Sequence, residues 1–387
     1  MTLSPNSLNI TGQRPTWAEI DLDVLAANFQ IVRQRVGPDV QVMAVVKADA
    51  YGHGAVECAR RLATAGADWF GVALPEEGIQ LRGAGIVQPI LCLSGFWEGQ
   101  QSACLQQNLV PVAYRIDMIQ ELDRAARAAG VVADVHVKID SGMGRLGIRF
   151  DQLSEFAEAL KRLKHIRVDG LMTHFAAADE PSCDLLTANQ LQRFADAVAV
   201  FRGAGYNPTY LHLANSAAIF SGPSTWGNLV RPGGVLYGLW RDVLPPANGV
   251  GEVLKPVMSL RSHITLLKWV PRGDTVGYGC TYEASRQTLV ATLPLGYNDG
   301  YLRALSNRGR VIVRGTYASV IGRVSMDLTL IDVTDVPGVA LGDEVTMFGV
   351  AGDDAVSAED AARTAGTISY ELTCGISERV PRIYLSK

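Results

Sequence analysis

No apolar run in this sequence approaches the roughly 18 residues that a membrane-spanning helix needs, so a spanning helix is not expected. The opening residues, Met1-Thr2-Leu3-Ser4-Pro5-Asn6-Ser7, lack the basic and apolar regions of a secretory signal. Close cysteine pairs are also missing. Cys58, Cys92, Cys104, Cys183, Cys280 and Cys374 have no metal-ligand spacing, and free thiols in a reducing compartment are expected. Neither sign of charge dominates: 35 basic and 39 acidic side chains leave a net charge of −4, which favours neither nucleic acid nor an anionic membrane as partner. These absences together predict a soluble, cytoplasmic protein. What is present is apolar bulk. With 387 residues, 48% of them hydrophobic and 19% charged, the chain can bury more than one core, and two domains are expected.

From about residue 41 to residue 240, strand-like runs alternate with amphipathic stretches. The runs are Val42 to Val46, Trp69 to Leu74, Pro89 to Leu93, Val110 to Tyr114, Ala133 to Ile139, Val168 to His174, Tyr210 to Leu213 and Leu229 to Tyr237. Between them lie helical patterns such as Val56 to Ala65, Met118 to Ala129, Leu153 to Leu163 and Leu185 to Phe201. The runs are almost continuously apolar, as strands are when both faces are covered. Eight strand–helix units predict an α/β fold, a TIM (β/α)8 barrel over residues 12–248; alternation alone leaves an open doubly wound sheet as the alternative. Pro245-Pro246-Ala247-Asn248-Gly249-Val250-Gly251 reads as a linker. Beyond it come short alternating runs: Val257 to Trp269, Leu289 to Leu293, Arg310 to Val313, Ser319 to Val324, Leu328 to Val333 and Glu344 to Phe348. One clear helical pattern follows, Ala358 to Ala365. Residues 249–387 are therefore read as a mostly-β second domain.

In a barrel of this kind, catalytic groups gather where the strands end. Lys47 ends the first run. Lys138, Asp140 and Arg145 follow the fifth, and His174 ends the sixth. His212, Asn215 and Ser216 follow the seventh, and Arg231, Gly233 and Gly234 lie on the eighth. Each has an ordinary structural reading, and a lone lysine at a strand end usually just reaches solvent. The set is more pointed. A partly desolvated lysine suits Schiff-base chemistry with a carbonyl cofactor. Loops after the seventh and eighth strands often bind phosphate, and Ser216 with Gly233-Gly234 offers a hydroxyl and closely approachable amides. A lysine on one side and a phosphate cradle on the other would hold pyridoxal 5′-phosphate, which stabilises a carbanion next to an amine.

The sequence resembles the bacterial alanine racemase family along nearly its whole length. The resemblance is carried by Ala44-Val45-Val46-Lys47-Ala48-Asp49-Ala50-Tyr51-Gly52-His53-Gly54, Lys138-Ile139-Asp140-Ser141-Gly142-Met143-Gly144-Arg145-Leu146-Gly147 and Ala214-Asn215-Ser216-Ala217-Ala218. It continues through Val230-Arg231-Pro232-Gly233, Gly277-Tyr278-Gly279-Cys280-Thr281-Tyr282, Leu295-Gly296-Tyr297-Asn298-Asp299-Gly300-Tyr301, Gly322-Arg323-Val324-Ser325-Met326-Asp327 and Ile368-Ser369-Tyr370-Glu371. Ser325 stands where some relatives have cysteine, and Gly234 where some have a larger aliphatic residue.

The resemblance implies a homodimer with active sites shared between subunits, each binding alanine and pyridoxal 5′-phosphate. It implies that Lys47 holds the cofactor covalently and is one catalytic base, and that Tyr278, from the partner subunit, is the other. His174 would bond Tyr278, Arg231 would face the pyridine nitrogen, and Arg145 would hold the cofactor's phenolic oxygen and help bind substrate. Tyr51, Ser216, Gly233 and Tyr370 would bind phosphate, with Asn215 and Gly234 beside them. Met326 would offer its amide to the substrate carboxylate, Tyr297 would line the entrance, and Lys138 could be carbamylated. The activity so implied is interconversion of L- and D-alanine, supplying D-alanine for cell-wall precursors or degrading it. A serine or broad-specificity racemase shares the same fold. A barrel-type decarboxylase would bring a Glu-Pro-Gly-Arg motif, and a Cys-Asp motif in the second domain; neither occurs. A non-enzymatic carrier of the cofactor would lack residues 250–387.

Overall fold

The computed structural model describes residues 12–244 and 253–386. The chain divides into two compact units: Leu22–Lys255, and Pro256 onward together with the segment ending at Asp21. That early segment carries the first strand, β1 (Thr16–Asp21), which pairs antiparallel with Met258–His263 and parallel with Arg382–Leu385. This corrects the expected barrel start at residue 12. Trp17, Ala18 and Ile20 are buried in the second unit instead. A six-residue strand, Thr-Trp-Ala-Glu-Ile-Asp, is too short for its pattern to say which sheet will take it. The other expected boundary, at 248/249, lies outside the described residues.

The first unit is an eight-stranded parallel barrel wrapped by helices. Its strands are β2 (Gln41–Val45), β3 (Trp69–Val72), β4 (Ile90–Cys92), β5 (Leu109–Ala113), β6 (Ala133–Asp140), β8 (Ile166–Met172), β9 (Tyr210–His212) and β10 (Leu229–Val230). The short β7 (Ile148–Arg149) pairs with β6 off the barrel path. β10 pairs parallel with β2, and the gap to β9 is closed by Asn228 N donating to Leu211 O at 3.0 Å and Arg231 N to Ala214 O at 3.0 Å. Every residue of β3, β4 and β5 is buried, as their continuous apolar sequences predict. Met43, Trp69, Leu91, Val110, Val112, Met172 and Leu229 pack together in the core, each large side chain gaining about 1.5–3 kcal/mol from burial. The outer helices present apolar stripes inward; Ile116–Ala129 buries Met118, Ile119, Leu122 and Ala126. The last predicted strand run, Leu229 to Tyr237, is extended only over Leu229–Val230. Pro232 lacks the N–H a ladder needs, and Gly234–Tyr237 turns as a 3-10 helix.

The second unit is mostly β. After β11 (Met258–His263) come β12 (Leu266–Val270), the hairpin strands β13 (Thr275–Val276) and β14 (Tyr282–Glu283), then β15 (Thr288–Leu293), β16 (Arg310–Val313), β17 (Thr316–Val320), β18 (Thr329–Asp332), β19 (Glu344–Ala351), β20 (Asp354–Val356) and β21 (Arg382–Leu385). The main sheet runs β12-β15-β18-β17-β16-β19-β11-β1-β21. The single predicted run Val257 to Trp269 is thus two strands that part near Ile264 and pair with different neighbours. The predicted helix at Ala358–Ala365 is present, capped by Ser357 Oγ accepting from Asp360 N at 3.0 Å. Among the described residues, no helix is long and apolar enough to cross a membrane and no cluster of His, Cys, Asp or Glu could hold a metal ion. All six cysteines are free, with Cys58, Cys92 and Cys104 buried.

Candidate active site

Lys47 directly follows β2 and opens a turn of unusual hand. Ala48, Asp49, Ala50 and Tyr51 all have φ between 52° and 56°, a left-handed turn built without glycine. For L-residues that conformation costs roughly 1–2 kcal/mol each, so the surroundings must impose it. Ala50 N donates to Val46 O at 2.9 Å, and Gly52 N to Ala48 O at 3.0 Å. Glu77 accepts from Ala48 N through Oε1 and from Ala73 N through Oε2, both at 2.6 Å. Asp49 Oδ1 accepts from Ala55 N at 2.7 Å. The turn fixes the directions in which Lys47 and Tyr51 leave the backbone. Strain of this kind, over-determined by its neighbours, gathers at functional sites.

Tyr51 meets the end of β10. A Cβ on Gly233 would overlap the Tyr51 hydroxyl, so a larger residue there would have to displace the tyrosine. Gly233 N donates to Ser216 Oγ at 2.9 Å, and Ser216, accepting there, can donate its own hydrogen to an anion. Asn215 caps the following turn, its Oδ1 accepting from Ala218 N at 3.0 Å. Gly234 opens the Gly234–Tyr237 turn. Tyr237 lies beneath, donating from Oη to Val45 O at 2.9 Å, its ring 4.9 Å from that of Tyr51.

Arg231 is buried and held on every side. Its Nη2 donates to the carbonyls of Thr173 at 2.7 Å and Leu213 at 2.9 Å and faces His174 Nδ1 at 3.3 Å; its Nη1 lies 3.0 Å from His212 Nδ1. Guanidinium can only donate. His212 and His174 must therefore accept at Nδ1, and each carries its proton on Nε2. Burial first, then the Arg231 charge, drives both imidazoles well below their ordinary range, so both are neutral at neutral pH. Burial pulls Arg231 itself down to about 9, and it remains the cation of the group.

Lys138 differs from its expected place. It lies inside β6 rather than on the loop after it, and it is buried. Burial, then Arg231, Arg145 and Lys47, lowers its ammonium from 10.5 to about 7, with Asp140 opposing. Arg145 is exposed on the Ser141–Gly147 loop. That loop is shaped by Asp140 Oδ1, which accepts from Gly142 N and Gly144 N at 3.0 Å each, and by Ser141 Oγ at 2.7 Å from Thr173 Oγ1.

The barrel rim thus gathers Lys47, Tyr51, Lys138, Arg145, His174, Asn215, Ser216, Arg231, Gly233 and Gly234. Tyr278, Tyr297, Met326 and Tyr370 lie in the other unit. There, three loops join through their backbones. Tyr297 N donates to Ser325 O at 3.0 Å and Asn298 N to Met326 O at 3.1 Å, while a Cβ on Gly296 would overlap Ser325 O. A Cβ on Gly277 would come within 3.3 Å of Arg323 N. These contacts bring Tyr278, Tyr297 and Met326 to neighbouring loops, 73%, 40% and 52% exposed respectively: large side chains left uncovered within one chain. Tyr370 lies on the helix Ser369–Cys374.

Sequence reasoning passed over Glu77, Thr173, Tyr237 and the role of His136. Tyr237 enters the sequence reading only as the end of the run Leu229 to Tyr237, and His136 only as part of the run Ala133 to Ile139. Only the 2.8 Å approach of His136 Nδ1 to His212 Nε2 marks the last as part of the Arg231 group.

The rim suits an anionic, carbonyl-bearing cofactor. Three cations, Lys47, Arg145 and Arg231, lie close enough to act on the Lys138 amine and on His174, and hydroxyl donors converge at Gly233. Residues 20–240 match the family of alanine racemase N-terminal domains, and residues 257–384 that of alanine racemase C-terminal domains. The chain belongs to the alanine racemase family. It is 48% identical to the alanine racemase of Geobacter sulfurreducens over 96% of this chain and 98% of that one. The alanine racemase of the D-cycloserine producer Streptomyces lavendulae superposes with a TM-score of 0.89 at 38% identity, covering 97% of this chain and 98% of the other. That of Bartonella henselae, with covalently bound pyridoxal phosphate, superposes with a TM-score of 0.85 at 28% identity, covering 96% and 99%.

Proposed function

We propose that the chain is a pyridoxal 5′-phosphate-dependent racemase interconverting L- and D-alanine, working as a homodimer whose sites combine one barrel with the partner's second unit. The observation that carries this is Arg231: a buried guanidinium locked by two carbonyls and two neutral imidazoles, presenting a donor and a charge that it keeps at neutral pH. Bound pyridoxal 5′-phosphate supplies an electron sink for the carbanion formed when the amino acid loses its α-proton.

This chain's residues do the rest. Lys47 Nζ holds the cofactor before substrate arrives, then carries the proton on one face of the α-carbon. Tyr278 of the partner subunit carries it on the other, so a proton removed on one side can be returned on the opposite side. His174, accepting from Arg231 at Nδ1, has its Nε2 proton available to donate to the partner's Tyr278 oxygen, which favours the phenolate. Arg231 would face the ring nitrogen of the bound cofactor and, donating only, would keep it unprotonated, which would favour return of the proton as alanine over formation of a keto acid. Tyr51, Ser216, Gly233 and Tyr370 bind the phosphate, with Asn215 and Gly234 shaping the turns beside it. Arg145 holds the phenolic oxygen and aids substrate binding. The partner's Met326 offers its amide to the substrate carboxylate, and the partner's Tyr297 lines the way in. The exposure of Tyr278, Tyr297 and Met326 supports a covering partner. A cytoplasmic location is proposed from six free cysteines, which suit a reducing compartment.

The test is a chiral assay of the purified protein on alanine, serine, lysine and arginine, with and without added cofactor, followed by borohydride reduction and peptide mapping. Turnover of alanine above the others, with the reduced adduct on Lys47, is expected. An adduct on Lys138 or Lys268, or no alanine turnover by cofactor-loaded protein, overturns the reading.

A further inference from the structure

Behind Arg231 lies a second histidine with no assigned part in the chemistry. His136 belongs to β6, is fully buried, and sits among the rings of Trp69 at 5.3 Å, Tyr210 at 5.6 Å and His212 at 4.9 Å. The fold makes room for it in two ways. The β6–β8 ladder slips one residue beside it: Val135 faces Val168, but His136 faces Gly170. Such irregularities re-aim side chains near active sites. Residue 170 is also glycine, where a Cβ would lie 2.6 Å from the imidazole Cγ. In return, among the described residues the His136 side chain makes a single hydrogen bond, 2.8 Å from Nδ1 to His212 Nε2, and its buried Nε2 finds no hydrogen-bond partner. A residue kept only for packing would not need an imidazole there, since a phenyl ring would bury the same surface without an unpaired polar atom.

The direction of this hydrogen-bond chain follows from Arg231. Because the guanidinium donates to His212 Nδ1, the His212 proton is on Nε2 and must be donated onward, so His136 accepts at Nδ1 and carries its own proton on Nε2. Without an acceptor at that point, the His212 Nε2 proton would be buried unpaired, and because Arg231 bars its move to Nδ1, the imidazole itself would shift away from the guanidinium.

We propose that His136 is a positioning residue for the racemase reaction: it accepts the Nε2 proton of His212, holding that imidazole against Arg231, and through it sets the placement of the Arg231 guanidinium. The proposal rests on the role given to Arg231 above. His136 touches neither substrate nor cofactor, and its effect passes through His212.

The test compares cofactor-loaded wild-type protein with His136→Phe and His136→Asn, using nitrogen-15 histidine labelling. Phenylalanine keeps the ring volume and removes the acceptor. Asparagine places an oxygen where Nδ1 stood. In wild type, His212 should show the neutral Nε2–H tautomer. In His136→Phe the His212 Nε2–H resonance should move upfield as its hydrogen bond is lost, with kcat for alanine falling on the order of tenfold to a hundredfold and KM changing less. His136→Asn should restore both. Where His136→Phe fails to fold, His136→Gln takes its place; it keeps polarity but displaces the acceptor by one bond, and should behave as the phenylalanine variant is expected to. An unchanged His212 Nε2–H resonance in the acceptor-deficient variant, or an asparagine variant no better than it, overturns the proposal. Failure of the racemase reading would appear separately, as wild-type protein that does not racemise alanine.

Discussion

Gly233 stands so close to Tyr51 that a single Cβ at position 233 would overlap the phenolic oxygen. The contact joins the left-handed turn after β2 to the loop after β10, at opposite ends of the sequence of the barrel. Gly233→Ala should push Tyr51 away from the phosphate site while leaving Lys47 in place. Losing one charge-assisted hydrogen bond costs about 1.5–3 kcal/mol, roughly tenfold or more in cofactor Kd. Titration of apo protein with pyridoxal 5′-phosphate measures it, and Tyr51→Phe should produce a similar loss. Unchanged affinity in both variants would remove Tyr51 from the phosphate site.

Arg231→Glu replaces a donor with a group that can protonate the ring nitrogen. Racemisation should slow on the order of a hundredfold. Pyruvate should appear as a side product, and a long-lived absorbance at long wavelength should develop with alanine present. Glutamate also faces the carbonyls of Thr173 and Leu213 there, so thermal melting must accompany the kinetics. Arg231→Lys keeps the positive charge and should give no pyruvate. Slow racemisation without pyruvate in the glutamate variant would show that the charge of Arg231 does not govern the ring nitrogen.

Lys138 ties stability to pH. Its ammonium falls from 10.5 to about 7 on folding, chiefly through burial. Between those values the unfolded chain holds a proton that the folded chain does not. Stability therefore rises with pH across this window, and the gain is lost as pH falls through about 7. In carbon-dioxide-free buffer, denaturant midpoints of wild type should climb more over this range than those of Lys138→Met, and parallel curves would contradict the linkage. The neutral amine can also add carbon dioxide, forming a carbamate and releasing one proton. Carbon-13 bicarbonate should then give a carbamate signal in wild type that Lys138→Met lacks.

Lys47 and Tyr278 provide a test of the shared site. Lys47→Ala and Tyr278→Ala homodimers should each be nearly inactive. A verified heterodimer of the two has one site with both lesions and one with neither, and should recover up to half the wild-type rate. If both residues served the same subunit, every site would carry one lesion and no activity would return. Differently tagged chains establish that subunits have exchanged.

Much of the barrel could be read from sequence because its signal is local. Fully buried parallel strands are continuous apolar runs, and the amphipathic stretches between them repeat at helical period. Thr16–Asp21 was grouped with the barrel for the complementary reason: nothing in its six residues names its partners, which lie more than two hundred residues away, in β11 and β21. The run Val257 to Trp269 hid a corner for the same reason, since alternation continues across a point where the chain changes neighbours.

By itself, the sequence determined which chemical groups are available: a lysine after the first barrel strand, an arginine after the last, and the glycines at 233 and 234. Their residue types and order are covalent facts that require no folding. What only the tertiary structure decided is what those groups become. Four non-glycine residues take a left-handed turn because Glu77 and Asp49 hold it. Lys138 approaches neutrality because burial and three cations surround it. Two histidines are fixed as neutral acceptors because one guanidinium, able only to donate, faces both. Protonation and hand depend on desolvation and on neighbours brought close by closure of the barrel, and no window of sequence contains them.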